Sequence, residues 1–289
     1  MKVWVIGAFG MLGSSVSSCL EEKKIDFIKS FKKDADITDL ESLRSFTKDK
    51  KITHIINCAA YTQVDLAEKE EELAVRVNVR GPENLGIVSK EISARVMHFS
   101  TDYVFDGHTN HPYLETDLAA PLNTYGRTKW EGEQRLLKAF PKACIIRTSW
   151  LFGLNGHNFI SKMIHLMQQK KEIQVVADQI GKPTFCVDLA QAAVKLLNSS
   201  GIYHFANCQT VSWYDLTRII YDEAKKRGFD INCEKIIPIT TDQFPAVAKR
   251  PQYSVLDTTK IETVLGKPPR PWEEAVKDYI HQYFQSICQ

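Results

Sequence analysis

The stretch that most restricts what this chain can fold into lies at its start. Val3-Trp4-Val5-Ile6 is a short apolar run of the buried-strand kind, and Gly7-Ala8-Phe9-Gly10-Met11-Leu12-Gly13 follows at once, before a helical stretch to about Glu22. Strand, glycine-rich turn and helix arrive in the order a dinucleotide site needs. The first glycine permits the tight turn, the second lets backbone approach a pyrophosphate, and the third allows the helix to pack closely on the strand. Free N–H groups and the positive end of the helix then hold the phosphates. A bare glycine triplet also serves in structural turns; its position directly after the first strand gives it weight.

The rest of the chain keeps the alternation. Strands are predicted at 26–28, 54–58, 94–99 and 143–146, with helices at 39–50 and 68–90 between them. This pattern implies an α/β fold: a Rossmann-like, doubly wound parallel sheet. At 289 residues and 44% apolar content the chain has room for two unequal domains. The expected division is a nucleotide-binding domain over 1–150, joined by part of 185–230, and a smaller C-terminal substrate-binding α/β domain drawn mainly from 151–289. In that second part a helix is predicted from Asn158 to about Gln169, a strand at 201–205 and an amphipathic helix over 213–226. On the 68–90 helix, Asn78 reads as a backbone clamp or a member of a buried water network.

The tip of the second strand bears on the coenzyme. A carboxylate there usually takes the 2'-hydroxyl of NAD, but the tip reads Lys29-Ser30-Phe31-Lys32-Lys33. Three lysines suit a 2'-phosphate, so NADPH is the expected coenzyme. Asp34 and Asp36 lie close enough to keep NADH open.

Residues 99–129 carry the chemistry. The fourth strand ends in Ser100-Thr101, and the chain loops through polar and proline-containing residues to a helix that opens with Tyr125 and Lys129. Residues i and i+4 share a helix face, so the Lys129 ammonium is expected beside the Tyr125 phenol, lowering its pKa from about 10. Thr101 would hold a substrate oxygen against that phenol. Such a trio fits carbonyl reduction, with a proton from Tyr125 on one side and hydride on the other. The spacing itself is cheap: Tyr221 and Lys225 repeat it inside the 213–226 helix, with no strand-end hydroxyl feeding into it, and read as a solvated face.

A net charge of +2 and the lack of a long basic block argue against a nucleic-acid binder. Seven cysteines, odd in number and without a CxxC pair, suit a reducing compartment. No signal peptide and no apolar run near eighteen residues are visible, so no membrane partner and a cytoplasmic location are expected. No spacing of histidines, cysteines and carboxylates suggests a metal site, and neither a GxSxG elbow nor a P-loop is present.

Beyond the glycine turn, six segments stand in a recognisable order: Cys58-Ala59-Ala60-Tyr61-Thr62 with Val64-Asp65 and Ala67-Glu68; Ser100-Thr101-Asp102-Tyr103-Val104-Phe105-Asp106-Gly107; Pro121-Leu122-Asn123 with Tyr125-Gly126 and Thr128-Lys129; Arg147-Thr148-Ser149-Trp150; Val175-Val176-Ala177-Asp178-Gln179 with Gly181 and Pro183-Thr184; and Arg250-Pro251 with Ser254. On these, over nearly its whole length, the chain resembles the extended short-chain dehydrogenases/reductases, and among them the dTDP-4-dehydrorhamnose reductases. The resemblance implies a dTDP-4-keto-sugar substrate reduced with NADPH or NADH. It also implies roles: Tyr125 as proton donor, Lys129 on the nicotinamide ribose, and Thr101 completing the triad. Gly7, Gly10, Met11, Leu12 and Gly13 would carry the pyrophosphate, Asp36 and Ile37 the adenine, and Ala59, Ala60 and Tyr61 the floor below ribose and nicotinamide. Thr62, Asp102, Tyr103 and Trp150 would face the deoxysugar, and Arg250 the nucleotide diphosphate. Phe31 departs from the family, many of whose members carry an acid there. A homodimer is compatible with the resemblance. Two other readings stay open: a reductase making a different deoxysugar, such as a dTDP-6-deoxytalose, and a non-catalytic relative resembling the regulatory beta subunit of methionine adenosyltransferase.

Overall fold

The computed structural model describes residues 1–287. In chain order the first half runs β1 (Lys2–Ile6), α1 (Met11–Glu22), β2 (Asp26–Ser30), α2 (Leu40–Thr47), β3 (His54–Asn57), α3 (Val64–Ala67), α4 (Glu71–Val75), a π-helical turn (Arg76–Arg80), α5 (Gly81–Glu91), β4 (Arg95–Thr101), α6 (Thr124–Ala139) and β5 (Cys144–Thr148). The second half runs β6 (Leu151–Phe152), α7 (Phe159–Gln169), β7 (Glu172–Val176), β8 (Ile180–Gly181), β9 (Thr184–Phe185), α8 (Cys186–Lys195), β10 (Gly201–His204), β11 (Val211–Ser212), α9 (Trp213–Lys226), β12 (Lys235–Ile239), α10 (Thr259–Leu265) and α11 (Trp272–Ile287).

Six strands form one parallel sheet in the order β2-β1-β3-β4-β5-β10. Helices cover both faces, so the central strands are near-continuous apolar runs. Side chains still alternate between the faces. From β1, Val3 and Val5 join Leu12, Val16, Leu20, Leu189 and Ala193 on one side, while Trp4 and Ile6 join Leu43, Leu85 and Leu136 on the other. Each buried Val, Leu or Ile contributes about 1.5–3 kcal/mol. Trp4 is fully buried, and its indole N–H donates to Ser30 Oγ at 2.9 Å. The doubly wound parallel sheet expected from the sequence is therefore present.

The smaller second part has its own core. Helices α7, α9 and α11 surround Phe152, Phe185, Ile220 and Tyr279, and β7 pairs in parallel with β12. Chain order doubles back here: after α7 and β7, α8 packs on α1 and β10 joins the main sheet before α9 returns.

Several boundaries differ from the sequence expectation, and three of them bear on the site. β2 runs two residues further, placing Lys29 and Ser30 in the strand, and β4 runs on to Thr101. The helix expected over 68–90 starts at Glu71 and contains the π turn. Pro82 accounts for that turn: it has no N–H to give the carbonyl of Asn78 four residues back, so the ladder changes register there.

Candidate active site

Strand order reverses between β2-β1 and β3-β4, which leaves a crevice at the carboxyl ends of β1 and β3. There the glycine turn closes. Gly7 has φ +68°, and a Cβ on Gly13 would lie 2.1 Å from the Gly7 carbonyl oxygen, so α1 meets the turn at a distance only glycine allows. Gly13 thus lies beneath the turn, while Gly7 and Gly10 line the crevice. With no side chain in the way, the start of α1 presents its N–H groups to the crevice, a cradle that fits a pyrophosphate.

From this point one cleft extends across the molecule in three compartments. The first, about 540 Å³, is lined by Asp36, Ile37, Ala59, Ala60 and Tyr61 besides the glycines. The second, about 780 Å³, holds Met11, Leu12, Thr101, Asp102, Tyr125, Lys129 and Trp150. The third, about 960 Å³, holds Tyr103, Arg250 and residues of α7. Phe9, Gly10, Cys58 and Ala60 line both the first and the second, and Thr62 and His157 both the second and the third. Apart from Gly13, and from Lys29, Lys33 and Asp34 around the tip of β2, every residue that the sequence nominated lies on this cleft.

Local structure explains how the trio comes together. Asn123 caps α6, its Oδ1 accepting from the Gly126 N–H at 2.8 Å and its Nδ2 donating to the Lys249 carbonyl at 2.7 Å. A Cβ on Gly126 would sit 2.1 Å from the Tyr103 carbonyl oxygen. Only glycine lets the first turn of α6 press onto the turn after β4, and that contact brings Tyr125 beside Thr101. The Tyr103 and Tyr125 rings meet edge to face, with centroids 5.9 Å apart.

The electrostatics differ from expectation in one respect. Burial pushes the Tyr125 phenol up to about 12, with the Asp102 carboxylate adding to the rise and the Thr101 hydroxyl opposing it. Lys129 does not lower it, because its Nζ is turned away, donating to the Phe99 carbonyl at 2.6 Å and lying 3.1 Å from His98 Nε2. Burial brings Lys129 down to about 8, with Glu133 opposing the fall. Glu133 is itself buried and doubly bonded to Arg147, with Nη2 to Oε2 at 2.7 Å and Nε to Oε1 at 3.0 Å.

Asp102 is buried, and burial lifts its carboxyl to about 6, with the Ser254 and Thr101 side chains opposing the rise. Thr101 Oγ1 donates to Asp102 Oδ1 at 3.0 Å and accepts from the Tyr103 N–H at 3.2 Å. Among the described residues Asp102 Oδ2, Ser100 Oγ and Thr148 Oγ1 have no hydrogen-bond partner, and all three residues line the second compartment. Buried polar atoms of this kind need partners, so the compartment suits a hydroxyl-rich ligand. Trp150 stands at its edge with φ +46°, stacked on Trp213.

Arg250 is not a free cation. Its Nη2 donates to Asp65 Oδ2 at 2.7 Å and its Nη1 to Asp65 Oδ1 at 3.1 Å, across 185 positions of sequence. At the tip of β2, Lys29 lies over the Phe27 ring, Lys33 over the Phe31 ring and Lys32 is 3.7 Å from Asp36; of the three lysines, Lys32 lines the first compartment. Phe31 stacks on Phe9 of the glycine turn, with centroids 4.0 Å apart, and both rings are exposed.

Sequence reasoning passed over Asn57 and His98, which lie behind Lys129. Asn57 Nδ2 is 3.0 Å from His98 Nδ1, and Asn57 Oδ1 accepts from the Ala59 N–H at 3.1 Å. The available signal was a polar residue closing one buried apolar run, Ile55-Ile56-Asn57, and another inside a second, Val96-Met97-His98-Phe99. Asn78, by contrast, is the backbone clamp that was one of its two readings. It accepts from the Tyr61 N–H at 2.9 Å and donates to the Tyr61 carbonyl at 3.0 Å.

Comparison with known proteins bears on this geometry. The family model described as the RmlD substrate binding domain matches residues 1–285. A dTDP-4-dehydrorhamnose reductase of Aggregatibacter actinomycetemcomitans is 40% identical over 286 residues, covering 96% of this chain and 97% of that protein. The crystal structure of a dTDP-4-dehydrorhamnose reductase from Clostridium acetobutylicum superposes with a TM-score of 0.92 at 39% identity, over 98% of this chain and 99% of the other. A third, from Bacillus anthracis and solved in complex with NADP, gives 0.90 at 36% identity, over 97% and 99%. On its fold, its cleft and these matches over nearly all of its length, the chain belongs to the RmlD substrate binding domain family.

Proposed function

We propose that this protein reduces the C4 ketone of dTDP-4-dehydro-L-rhamnose to give dTDP-L-rhamnose, with NADPH as its preferred coenzyme. The observation that carries the proposal is the single cleft that joins the glycine turn to Thr101, Tyr125 and Lys129, in a chain so close to reductases of that name. A bound nicotinamide coenzyme would supply the hydride. Gly7, Gly10, Met11 and Leu12 hold its pyrophosphate in this reading, Asp36 and Ile37 border its adenine, and Ala59, Ala60 and Tyr61 lie under ribose and nicotinamide.

Tyr125 then does the acid work. A phenol held near 12 stays protonated at neutral pH, so it can hydrogen-bond the ketone and give up its proton as negative charge builds on that oxygen. Thr101 assists only after turning its single hydroxyl proton away from Asp102. Thr62, Asp102, Tyr103 and Trp150 face the deoxysugar. Arg250, fixed by Asp65, directs its remaining donors at the diphosphate. In the same reading residues 1–150, with the returning 185–230 segment, form the coenzyme domain, and 151–289 mainly form the substrate wall.

The test follows nicotinamide oxidation on enzymatically generated dTDP-4-dehydro-L-rhamnose, with NADPH and NADH in parallel, and identifies the product by NMR. Rapid oxidation to dTDP-L-rhamnose, with the higher kcat/KM for NADPH, is expected. A product epimeric at C4 would assign the deoxytalose reaction, and coenzyme binding without oxidation would overturn the enzyme reading for this substrate.

A further inference from the structure

The hydrogen bonds behind Lys129 leave little freedom over where protons sit. The Ala59 backbone N–H can only donate, so it fixes which end of the Asn57 amide is oxygen. The other end of that amide is then an N–H₂ group, which donates to His98 Nδ1. His98 is buried, and desolvation holds it neutral, so its one ring proton belongs on Nε2. That proton points at Lys129 Nζ, 3.1 Å away. An ammonium has three donors and no acceptor, whereas an amine has a lone pair to accept this bond and still donates to the Phe99 carbonyl.

We propose that Asn57 and His98 are positioning residues which favour the neutral amine of Lys129 over its ammonium in the free protein, so that it takes up a proton when the coenzyme's ribose hydroxyls draw it from the imidazole. This rests on the nicotinamide reading above. In proton balance, one proton comes from solvent to Nζ and no other bond changes. Keeping an ammonium against His98 would instead require the other ring tautomer, a flipped Asn57 amide and an unpaired Ala59 N–H. The other ionisable groups around Lys129 do not supply that proton. Glu133 on α6 is taken up by Arg147 of β5, burial keeps the Cys58 thiol and the Tyr125 phenol protonated, and Asp102 bonds Thr101. The resulting charge would appear beside Tyr125 only in the complex, when a phenolate is about to form.

Two measurements on the whole protein test this. Two-bond ¹H–¹⁵N spectra at pH 9, with His98 assigned by its loss in His98→Gln, should show the Nε2–H tautomer in the free protein; an Nδ1–H tautomer there overturns the proposal. Calorimetric titration with NADPH at pH 8 in two buffers of different ionisation enthalpy should show uptake of up to about half a proton, because Lys129 lies near 8 when free. Binding without uptake overturns the proposal and spares the coenzyme reading, whereas no binding at all overturns that reading and leaves the tautomer result standing. In Asn57→Asp both carboxylate oxygens accept, so the tautomer should change to Nδ1–H and the uptake should vanish. An unchanged tautomer in a folded Asn57→Asp overturns the lock.

Discussion

The chain contains the same Tyr-x-x-x-Lys spacing twice, and the two copies behave oppositely. On the surface of α9, Lys225 Nζ donates to Tyr221 Oη at 3.0 Å, and that bond raises the lysine's pKa. On α6, Lys129 has no such bond; it turns into the protein toward Phe99 and His98, and burial lowers its pKa to about 8. Helix geometry offers the i,i+4 contact in both places. Solvent leaves it as the best bond at Tyr221, whereas at Tyr125 buried polar groups of β4 compete and win. A spacing motif therefore specifies proximity, and the surroundings decide what proximity does.

The largest effect that would break this contrast is in turnover. Tyr125→Phe is expected to cost about a hundred- to ten-thousand-fold in kcat, the usual contribution of a positioned proton donor, with NADPH affinity kept. Tyr221→Phe should leave kcat unchanged. Steady-state kinetics on both variants decides: comparable rates in Tyr125→Phe would remove it as the proton donor.

Stability against pH sharpens the comparison next. Lys129 has a lower pKa folded than unfolded, about 8 against 10.5. Below pH 8 it is charged in both states, and its burial cost is borne in full. Between pH 8 and 10.5 the unfolded chain binds the extra proton, so stability rises with pH through that window. Lys129→Met should be more stable than the parent below pH 8, by on the order of 3 kcal/mol. The gain should shrink to nothing near pH 10.5 in urea titrations. A variant less stable than the parent at pH 7 would contradict the burial cost.

Much of this was legible in the sequence, for identifiable reasons. The glycine turn and the apolar runs of β1, β3, β4 and β5 are local patterns, and they suffice for the parallel sheet. Thr101, Tyr125 and Lys129 sit within one 29-residue stretch and share a cleft as expected. What was not legible depends on partners distant in sequence. The turning of Lys129 depends on His98, 31 positions earlier, and the ion pair that occupies Arg250 depends on Asp65. The π turn depends on Pro82 inside an otherwise helical pattern. The Phe9–Phe31 stack joins two loops whose approach only the finished sheet determines.

The floor under the buried pair separates it from the exposed one in a further way. Asn78 bonds both the N–H and the carbonyl of Tyr61, and its Nδ2 also reaches Thr128 Oγ1 at 3.2 Å, one residue from Lys129. Asn78→Leu keeps the volume but strands these groups, and about 2–3 kcal/mol of stability should go, at the usual cost of buried unsatisfied polar atoms. Because Tyr61 lines the first compartment, KM for the coenzyme should rise more than kcat falls. Urea midpoints and steady-state constants test both parts; an unchanged midpoint would mean that Asn78 does not clamp this loop.

The smallest expected effect is the most exacting control. Lys225→Met breaks a hydrogen bond of 3.0 Å, shorter than several inside the core, yet the pair is exposed to water, which replaces the lost partner on each side. Its urea midpoint and its kcat should match the parent's, and neither should acquire a new dependence on pH between 8 and 10.5. The Lys129 variant is expected to lose just such a dependence. If Lys225→Met instead showed a pH-dependent change of similar size, burial would not be what distinguishes the two pairs, and the low pKa of Lys129 would need another cause than its removal from solvent.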